Sequence, residues 1–368
     1  MKIAILGTRG VPAKYGGFET CAEEISVDLV AKGHKVLAYG RKGNHDDSQK
    51  EYKGVKLYHI PRIKGKITET FSNTFFSMIH VLFQRVDVIY VMNAANSPIC
   101  FIPWLLRKKI VINVDGLEWK RKKWGKFAQN YYQWAEKLST YFSNRIISDS
   151  MGIAEYYLDR YKTETTFIAY GANIENSENP DILDEYNLKP REYFFVASRL
   201  EPENNVDITI KAFEKVQTDK KLVIAGGANY DSDFIKEIHK TKDERIIFLG
   251  PIYTEGHIKE LHCNCFAYVH GNEVGGTNPA LLKALGYGNT VLALNVNFNA
   301  EVIKNAGILY DRSADDLARK IQSLVDDEEF CFSFKNKAKN RIKEAYTWEK
   351  ISNEYEVFFK DVINGKFG

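Results

Sequence analysis

Residues suited to holding a charged ligand gather where apolar runs give way to glycine. The fullest case is His270-Gly-Asn-Glu-Val-Gly-Gly-Thr-Asn-Pro-Ala-Leu-Leu-Lys-Ala-Leu-Gly-Tyr-Gly288, set between the apolar runs 265–269 and 290–294. Asn278 suits a helix N-cap, and Pro279 suits the first helical position, where its missing N–H costs nothing. Leu281, Leu282 and Leu285 form one apolar face, and Gly288 falls just past the helix end. Gly275 and Gly276 let a ligand come close to the backbone. The free N–H groups at the helix start then face it, and the helix dipole favours an anion. Such a turn seats a diphosphate or a sugar, or is simply a tight strand-to-helix connection.

Three further segments carry polar chemistry at the ends of apolar runs. Gly7-Thr-Arg-Gly-Val-Pro-Ala-Lys-Tyr-Gly-Gly-Phe-Glu-Thr20 follows the run 2–6. Its Gly16-Gly17 pair opens the backbone to a ligand, while Arg9 and Lys14 are suited to negative charge. The loop is long for its place, which usually signals function, and it lacks the G-x-G-x-x-G spacing of a dinucleotide fingerprint. A solvated surface loop is the alternative. Asp115-Gly-Leu-Glu-Trp119 follows the run 110–114, and Ser198-Arg-Leu-Glu-Pro-Glu-Asn-Asn-Val206 follows the run 193–197. Between 119 and 127, Trp-Lys-Arg-Lys-Lys-Trp-Gly-Lys-Phe sets five cations among three aromatics. That mixture suits an anionic membrane surface, with a nucleic-acid patch or a solvated face as competing readings.

Alternating apolar and amphipathic stretches must position these segments. Residues 2–6 read as a buried strand, followed by a helix with Cys21, Ile25 and Leu29 on one stripe and Gly33 past its end. Another strand starts at His34. Further strands are expected at 55–60, 86–92, 110–114 and 145–148, with helices at 73–83, 99–106 and 127–142. A polar, turn-rich stretch at 171–190 reads as a linker. Strands at 193–197, 222–225 and 246–249 and helices at 206–216, 315–325 and 348–363 complete the pattern. This is an α/β chain of two Rossmann-like parallel-sheet domains facing a cleft, with no sequence repeat between them. The expected boundaries are 1–170, 171–345, and 346–368 for a terminal helix that crosses back to the first domain.

Composition fits that division. A chain of 368 residues exceeds one ordinary core, and 44% hydrophobic with 27% charged residues is a globular balance. A net charge of +3 is too small to imply a nucleic-acid partner. Cys21, Cys100, Cys263, Cys265 and Cys331 lack metal-ligand spacing and read as buried free thiols of a reducing cytoplasm. The opening apolar run is too short for a signal peptide, and no run reaches the length of a membrane span. A cytoplasmic location is expected.

Taken in order, these residues resemble glycosyltransferases of the GT-B fold. More narrowly, the Gly7–Thr20 stretch, Asp115-Gly-Leu-Glu-Trp-Lys-Arg121, Ser198-Arg-Leu-Glu-Pro-Glu-Asn-Asn205 and Gly275-Gly-Thr-Asn-Pro279 resemble signatures of one branch of retaining family 4. That branch contains bacterial rhamnosyltransferases of capsule and other surface polysaccharides. The resemblance, which spans nearly the whole chain, implies transfer of L-rhamnose from dTDP-rhamnose to a lipid-diphosphate-linked oligosaccharide. Configuration would be retained, no divalent metal would be needed, and the protein would associate peripherally with the inner face of the cell membrane. The N-terminal domain would take the acceptor and the C-terminal domain the nucleotide sugar. Arg199 and Asp115 are then the expected catalytic residues, Arg199 by position as the family's diphosphate arginine and Asp115 near the transferred sugar. Gly16, Gly17, Gly275, Gly276, Thr277, Asn278 and Lys283 join Arg199 as expected donor contacts. Trp119, Lys120, Arg121, Lys122, Lys123 and Trp124 are expected to meet the membrane or the acceptor. Locally, Arg199 paired with Glu201 or Glu203, and Asp115 capping a turn, are the alternatives.

Two departures from the wider family stand out. Most members carry lysine five residues after the arginine, where this chain has Asn204. They also carry two glutamates at the positions held here by Gly275 and Lys283. Asn204 and Gly275 look like features of the branch, whereas Lys283 replaces the group that normally holds the nucleotide ribose. A catalytically weak homologue that binds a partner in polysaccharide assembly is therefore a second expectation. A sugar-nucleotide epimerase of the same fold is a third.

Overall fold

Short runs of Ile, Val, Leu and aromatics, buried on both faces, become the strands of two parallel sheets. The computed structural model describes residues 1–14, 16–65, 68–114, 116–121, 124–227 and 233–366. They fall into two units, Met1–Gly171 together with Trp348–Gly368, and Ala172–Thr347.

The first unit contains β1 (Lys2–Leu6), β2 (Lys35–Arg41), β3 (Glu51–Tyr52), β4 (Val55–Ile60), β5 (Val88–Met92), β6 (Ile110–Val114), β7 (Arg145–Ser148) and β8 (Thr166–Phe167). Their order is β3-β4-β2-β1-β5-β6-β7-β8, and only the β3·β4 pair is antiparallel. The winding reverses beside β1, so a crevice opens past the C-terminal ends of β1 and β5, the usual ligand position in such sheets. Gly7 leaves β1 with φ of +93°, and a Cβ there would stand 2.2 Å from the Met92 carbonyl oxygen. No other residue fits. The segment expected as a helix at 99–106 is a 3₁₀ turn, Ala94–Cys100, followed by helix Phe101–Leu105. Pro98 and Pro103 lie in that segment, and proline disfavours a continuous helix.

Helix Trp348–Ile363, last in the chain, belongs to this first unit. It buries Ile351, Tyr355, Phe358, Phe359 and Val362 and packs along helix Gly17–Ala31. Its anchor is a buried polar cluster. The hydroxyls of Tyr90 and Tyr355 lie 2.9 Å apart, and the Asn113 amide donates to both at 2.9 and 3.2 Å.

The second unit holds β9 (Tyr193–Ala197), β10 (Lys221–Ala225), β11 (Ile246–Gly250), β12 (Ala267–His270), β13 (Val291–Leu294) and β14 (Ile308–Tyr310). Their order is β11-β10-β9-β12-β13-β14, parallel throughout. Phe194, Phe213, Leu222, Phe266, Val269, Leu292 and Leu317 are among its fully buried side chains. The winding reverses between β9 and β12. The stretch 171–190, expected as a linker, instead folds onto this unit. Ala172 N donates to Tyr346 O at 2.7 Å, and the buried Glu260 carboxylate accepts the amides of Glu178 and Asn179 at 2.8 and 3.0 Å. Leu183 is buried within the turn Pro180–Tyr186. The polar composition of the stretch hides a segment whose backbone is held by side chains elsewhere.

Candidate active site

The reversal in the second sheet sets two loops side by side. β9 runs into Ser198–Asn205 and β12 into Gly271–Asn278, and the strands pair through Ala267–Phe194 and Tyr268–Phe195. The loops are stitched together beyond the strands. Glu273 N donates to Glu203 O at 2.9 Å, and the Asn205 amide donates to Gly271 O at 2.9 Å. A Cβ on Gly271 would sit 2.3 Å from the Asn204 carbonyl oxygen, so only glycine allows this approach.

Arg199 sits on the first of these loops with an exposed side chain. Neither Glu201 nor Glu203 pairs with it, and among the described residues its guanidinium has no hydrogen-bonding or ionic partner. Its backbone is fixed instead: the Asn204 amide donates to Arg199 O at 2.8 Å. Asn204, at the position where the resemblance would put a lysine, thus holds the arginine's main chain.

The second loop ends in helix Pro279–Gly286. Asn278 caps it, its side chain accepting Ala280 N at 3.0 Å. Gly275 has φ of +148° with open space where a Cβ would stand, so its conformation rather than crowding calls for glycine. Gly276 and Thr277 are buried beside it. Leu281, Leu282 and Leu285 are fully buried, and Lys283 is exposed, its ammonium making no hydrogen bond or ion pair among the described residues. The helix closes on Gly288, whose φ is +76° and whose N–H donates to Leu285 O at 2.9 Å.

Two participants escape a reading of the sequence. Arg312, just past β14, donates to Glu273 Oε1 at 3.0 Å and to Asn205 Oδ1 at 3.2 Å, bracing both loops. Because β14 has only three residues, nothing in the sequence marks Arg312 as lying at a strand end. Glu273 itself is seen in the sequence but not its partner. His270 ends β12 with its ring buried, and burial pushes its pKa down to about 3. Its Nε2 has no hydrogen-bond partner among the described residues.

In the first unit, the Gly7–Gly16 loop is held by acids of the helix that follows. Glu19 accepts Arg9 N at 3.1 Å and Glu23 accepts Ala13 N at 2.6 Å. Gly16 caps helix Gly17–Ala31 in an extended conformation, and Gly17 is the first helical residue. Asp115, Lys122 and Lys123 lie outside the described residues. Around them, Glu118 organises the cationic segment: Arg121 pairs with it, and Trp124 Nε1 donates to it at 3.1 Å. Trp119 is half-buried, with the Lys120 ammonium 5.5 Å from its ring centre. The structure thus gathers Arg199 with Gly275, Gly276, Thr277, Asn278 and Lys283 in the second unit, while Gly16, Gly17 and the 119–124 segment belong to the first.

Among the described residues no group of three or more His, Cys, Asp or Glu has the arrangement of a metal site. The metal-free expectation leaves one triplet out of account, Asp231-Ser-Asp233, of which only Asp233 is described.

Residues 179–341 match the family of glycosyl transferases group 1, and residues 1–173 match a domain of unknown function, DUF1972. The chain is 24% identical to MJ1069, an uncharacterised glycosyltransferase of Methanocaldococcus jannaschii, over 95% of this chain and 96% of that one. Its fold is similar to that of a sucrose-phosphate synthase from Thermosynechococcus elongatus, with a TM-score of 0.82, 18% identity and 99% of each chain covered. It is also similar to Anabaena HepE in complex with UDP and glucose, with a TM-score of 0.78, 17% identity, and 98% of this chain and 100% of that chain covered. Residues 179–341 thus match the glycosyl transferases group 1 family, the chain has the GT-B fold, and glycosyltransferase activity is what these likenesses support.

Proposed function

We propose that this glycosyltransferase moves L-rhamnose from dTDP-rhamnose onto a hydroxyl of a lipid-diphosphate-linked oligosaccharide in surface polysaccharide synthesis. The transfer retains configuration, needs no divalent metal, and takes place in the cytoplasm at the inner face of the cell membrane. The observation that carries the reading is the loop pair beyond β9 and β12. One loop presents an unpaired guanidinium at Arg199, and the other a glycine turn entering a helix. Negative charge grows on the leaving diphosphate as the glycosidic bond breaks. Arg199 and the amides of Gly275, Gly276 and Thr277 meet that charge, as oriented donors do when they stabilise a transition state. Gly16 and Gly17 are the proposed donor contacts of the first unit, and Asp115 is the proposed group beside the transferred sugar. Trp119, Lys120, Arg121, Lys122, Lys123 and Trp124 are the proposed contacts to the acceptor or to an anionic membrane.

Lys283 shapes the choice of donor. It is the exposed cation of the last turn of helix Pro279–Gly286, and its ammonium has no partner among the described residues. The diphosphate of a bound donor is the partner proposed for it. Lys283 then supplies part of the phosphate contact while giving up the grip of a glutamate on ribose hydroxyls. A deoxyribose donor has no 2′-hydroxyl and loses less, which favours dTDP over UDP. The same residue supports the second reading, a weak homologue that only binds a partner.

Released nucleotide measured across dTDP-rhamnose, UDP-glucose and other nucleotide sugars, with products identified, tests the proposal. Turnover of dTDP-rhamnose with transfer supports it. A different donor corrects the sugar, an epimerised nucleotide sugar gives the third reading, and no turnover on any donor favours the second. In a parallel titration, Lys283→Glu should bind dTDP more weakly than the parent. Tighter binding with a gain in transfer would overturn the role given to Lys283.

A further inference from the structure

Helix Thr68–Leu82 carries its polarity the wrong way round. Its buried residues are Ser72, Asn73, Thr74, Ser77, Met78 and Val81. Exposed on it are Phe71, Phe75, Phe76 and Ile79, and Phe83 follows at 79% exposure. Phe71, Phe75, Ile79 and Phe83 recur every fourth residue and so form one stripe along the helix. The orientation is fixed from inside. Asn73 donates to Ile60 O at 3.0 Å, and the Ser72 hydroxyl accepts Ile63 N at 2.9 Å and donates to Thr68 O at 2.6 Å. Turning the phenylalanines inward would break these bonds.

The apolar face continues onto helix Phe101–Leu105, which packs against the first. Trp104 and Leu105 are exposed there, Leu105 at 62%. Its rim is basic. Arg85 follows Phe83, and Arg107 follows the exposed Leu106; both arginines are exposed. The acids nearby are already engaged: Glu69 pairs with Arg41 and Arg62, and Asp87 accepts Lys2 N at 2.7 Å. An apolar stripe with aromatic residues and a cationic rim is complementary to an anionic lipid surface, where side chains enter the interface and cations meet phosphates. No helix among the described residues is long and apolar enough to span a bilayer.

We infer that the exposed stripe of helix Thr68–Leu82, continued by Trp104 and Leu105, seats the protein on an anionic bilayer. The inference rests on the membrane contact in the proposed function and assigns it to a surface other than the 119–124 segment, where Arg121 and Trp124 are engaged by Glu118.

The test is co-sedimentation of the full chain with vesicles of equal parts phosphatidylglycerol and phosphatidylcholine, compared with phosphatidylcholine alone. The parent should bind only the anionic vesicles. A variant carrying Ile79→Gln, Phe83→Gln and Leu105→Gln should bind at least tenfold more weakly, with an unchanged melting temperature and unchanged release of nucleotide from a soluble donor. A Lys120→Ser, Lys126→Ser variant should keep most of the binding. Brominated lipid should quench tryptophan emission in the parent, and Trp104→Phe should lose most of that quenching while still binding. Parent-like binding by the triple variant overturns the inference, as does quenching that survives Trp104→Phe. A parent dimer in light scattering that the triple variant dissolves also overturns it, giving the face to a second copy. Loss of binding only in the Lys120, Lys126 variant removes this surface but keeps the proposed membrane contact. A parent that binds no vesicle removes both.

Discussion

Arg199 is exposed at the end of a strand, with its backbone held by Asn204 and its guanidinium unpaired among the described residues. A cation in that state contributes little to folding and is available to a ligand. Arg199→Ala should therefore leave the melting temperature unchanged and lower turnover by roughly a hundred- to thousandfold, about 3–4 kcal/mol in the transition state. Parent-like transfer by the folded variant would falsify the assignment. Arg312 is the useful contrast. It is tied to Glu273 and Asn205, so Arg312→Ala should loosen both loops and change stability and donor binding together. A melting curve and a nucleotide titration on the two variants separate an arginine that meets ligand from one that braces loops.

Elements bring these residues together, and the closest approach between the two loops is at Gly271. A methyl group there meets the Asn204 carbonyl oxygen at 2.3 Å, and backbone cannot swing aside as a side chain would. Gly271→Ala should push the β9 and β12 loops apart, costing on the order of 1–3 kcal/mol in stability. It should also raise the KM for the nucleotide sugar more than Arg199→Ala does. A variant with parent-like melting and KM would mean that the loop contact is not needed. The two strands behind this contact were legible in the sequence, because buried parallel strands are written as unbroken apolar runs such as Tyr193–Ala197. So was the capped helix start at Asn278, whose residue types are tied to backbone geometry. Carboxylates that bind backbone, such as Glu19, Glu23 and Glu260, look in sequence like ordinary acids of a helix surface. The helix expected at 73–83 was legible as a helix, but not which of its faces is buried. The hydrogen bonds of Asn73 and Ser72 settle that, and they depend on the neighbouring chain around Ile60 and Ile63.

At the scale of the molecule, the two units carry buried ionisable groups with opposite responses to acid. In the second, burial lowers the pKa of His262 to about 4 and of His270 to about 3. Both fold neutral, so their contribution is fully present above the ordinary value of 6.5 and is lost as pH falls toward 4. In the first unit, burial raises Glu136 to about 7, although the hydroxyls of Tyr156 and Tyr161 donate to it at 3.0 and 3.2 Å. Its folded form prefers the proton. Its contribution is present below the ordinary value of 4.5 and is lost as pH rises through about 7. Acidification from pH 8 to about 5.5 should thus stabilise the first unit through Glu136, by on the order of 2 kcal/mol, while weakening the second. The sequence provides a reporter for the first unit, because Trp104, Trp119, Trp124, Trp134 and Trp348 all lie within it. Thermal melts followed by tryptophan emission should move to higher temperature over that pH change in the parent relative to Glu136→Gln, which has no proton to gain. Melts followed by circular dichroism, which reports both units, should move less. Equal shifts in parent and Glu136→Gln would show that this carboxylate is solvated in the folded chain, and that the tyrosine cluster around it is open to water.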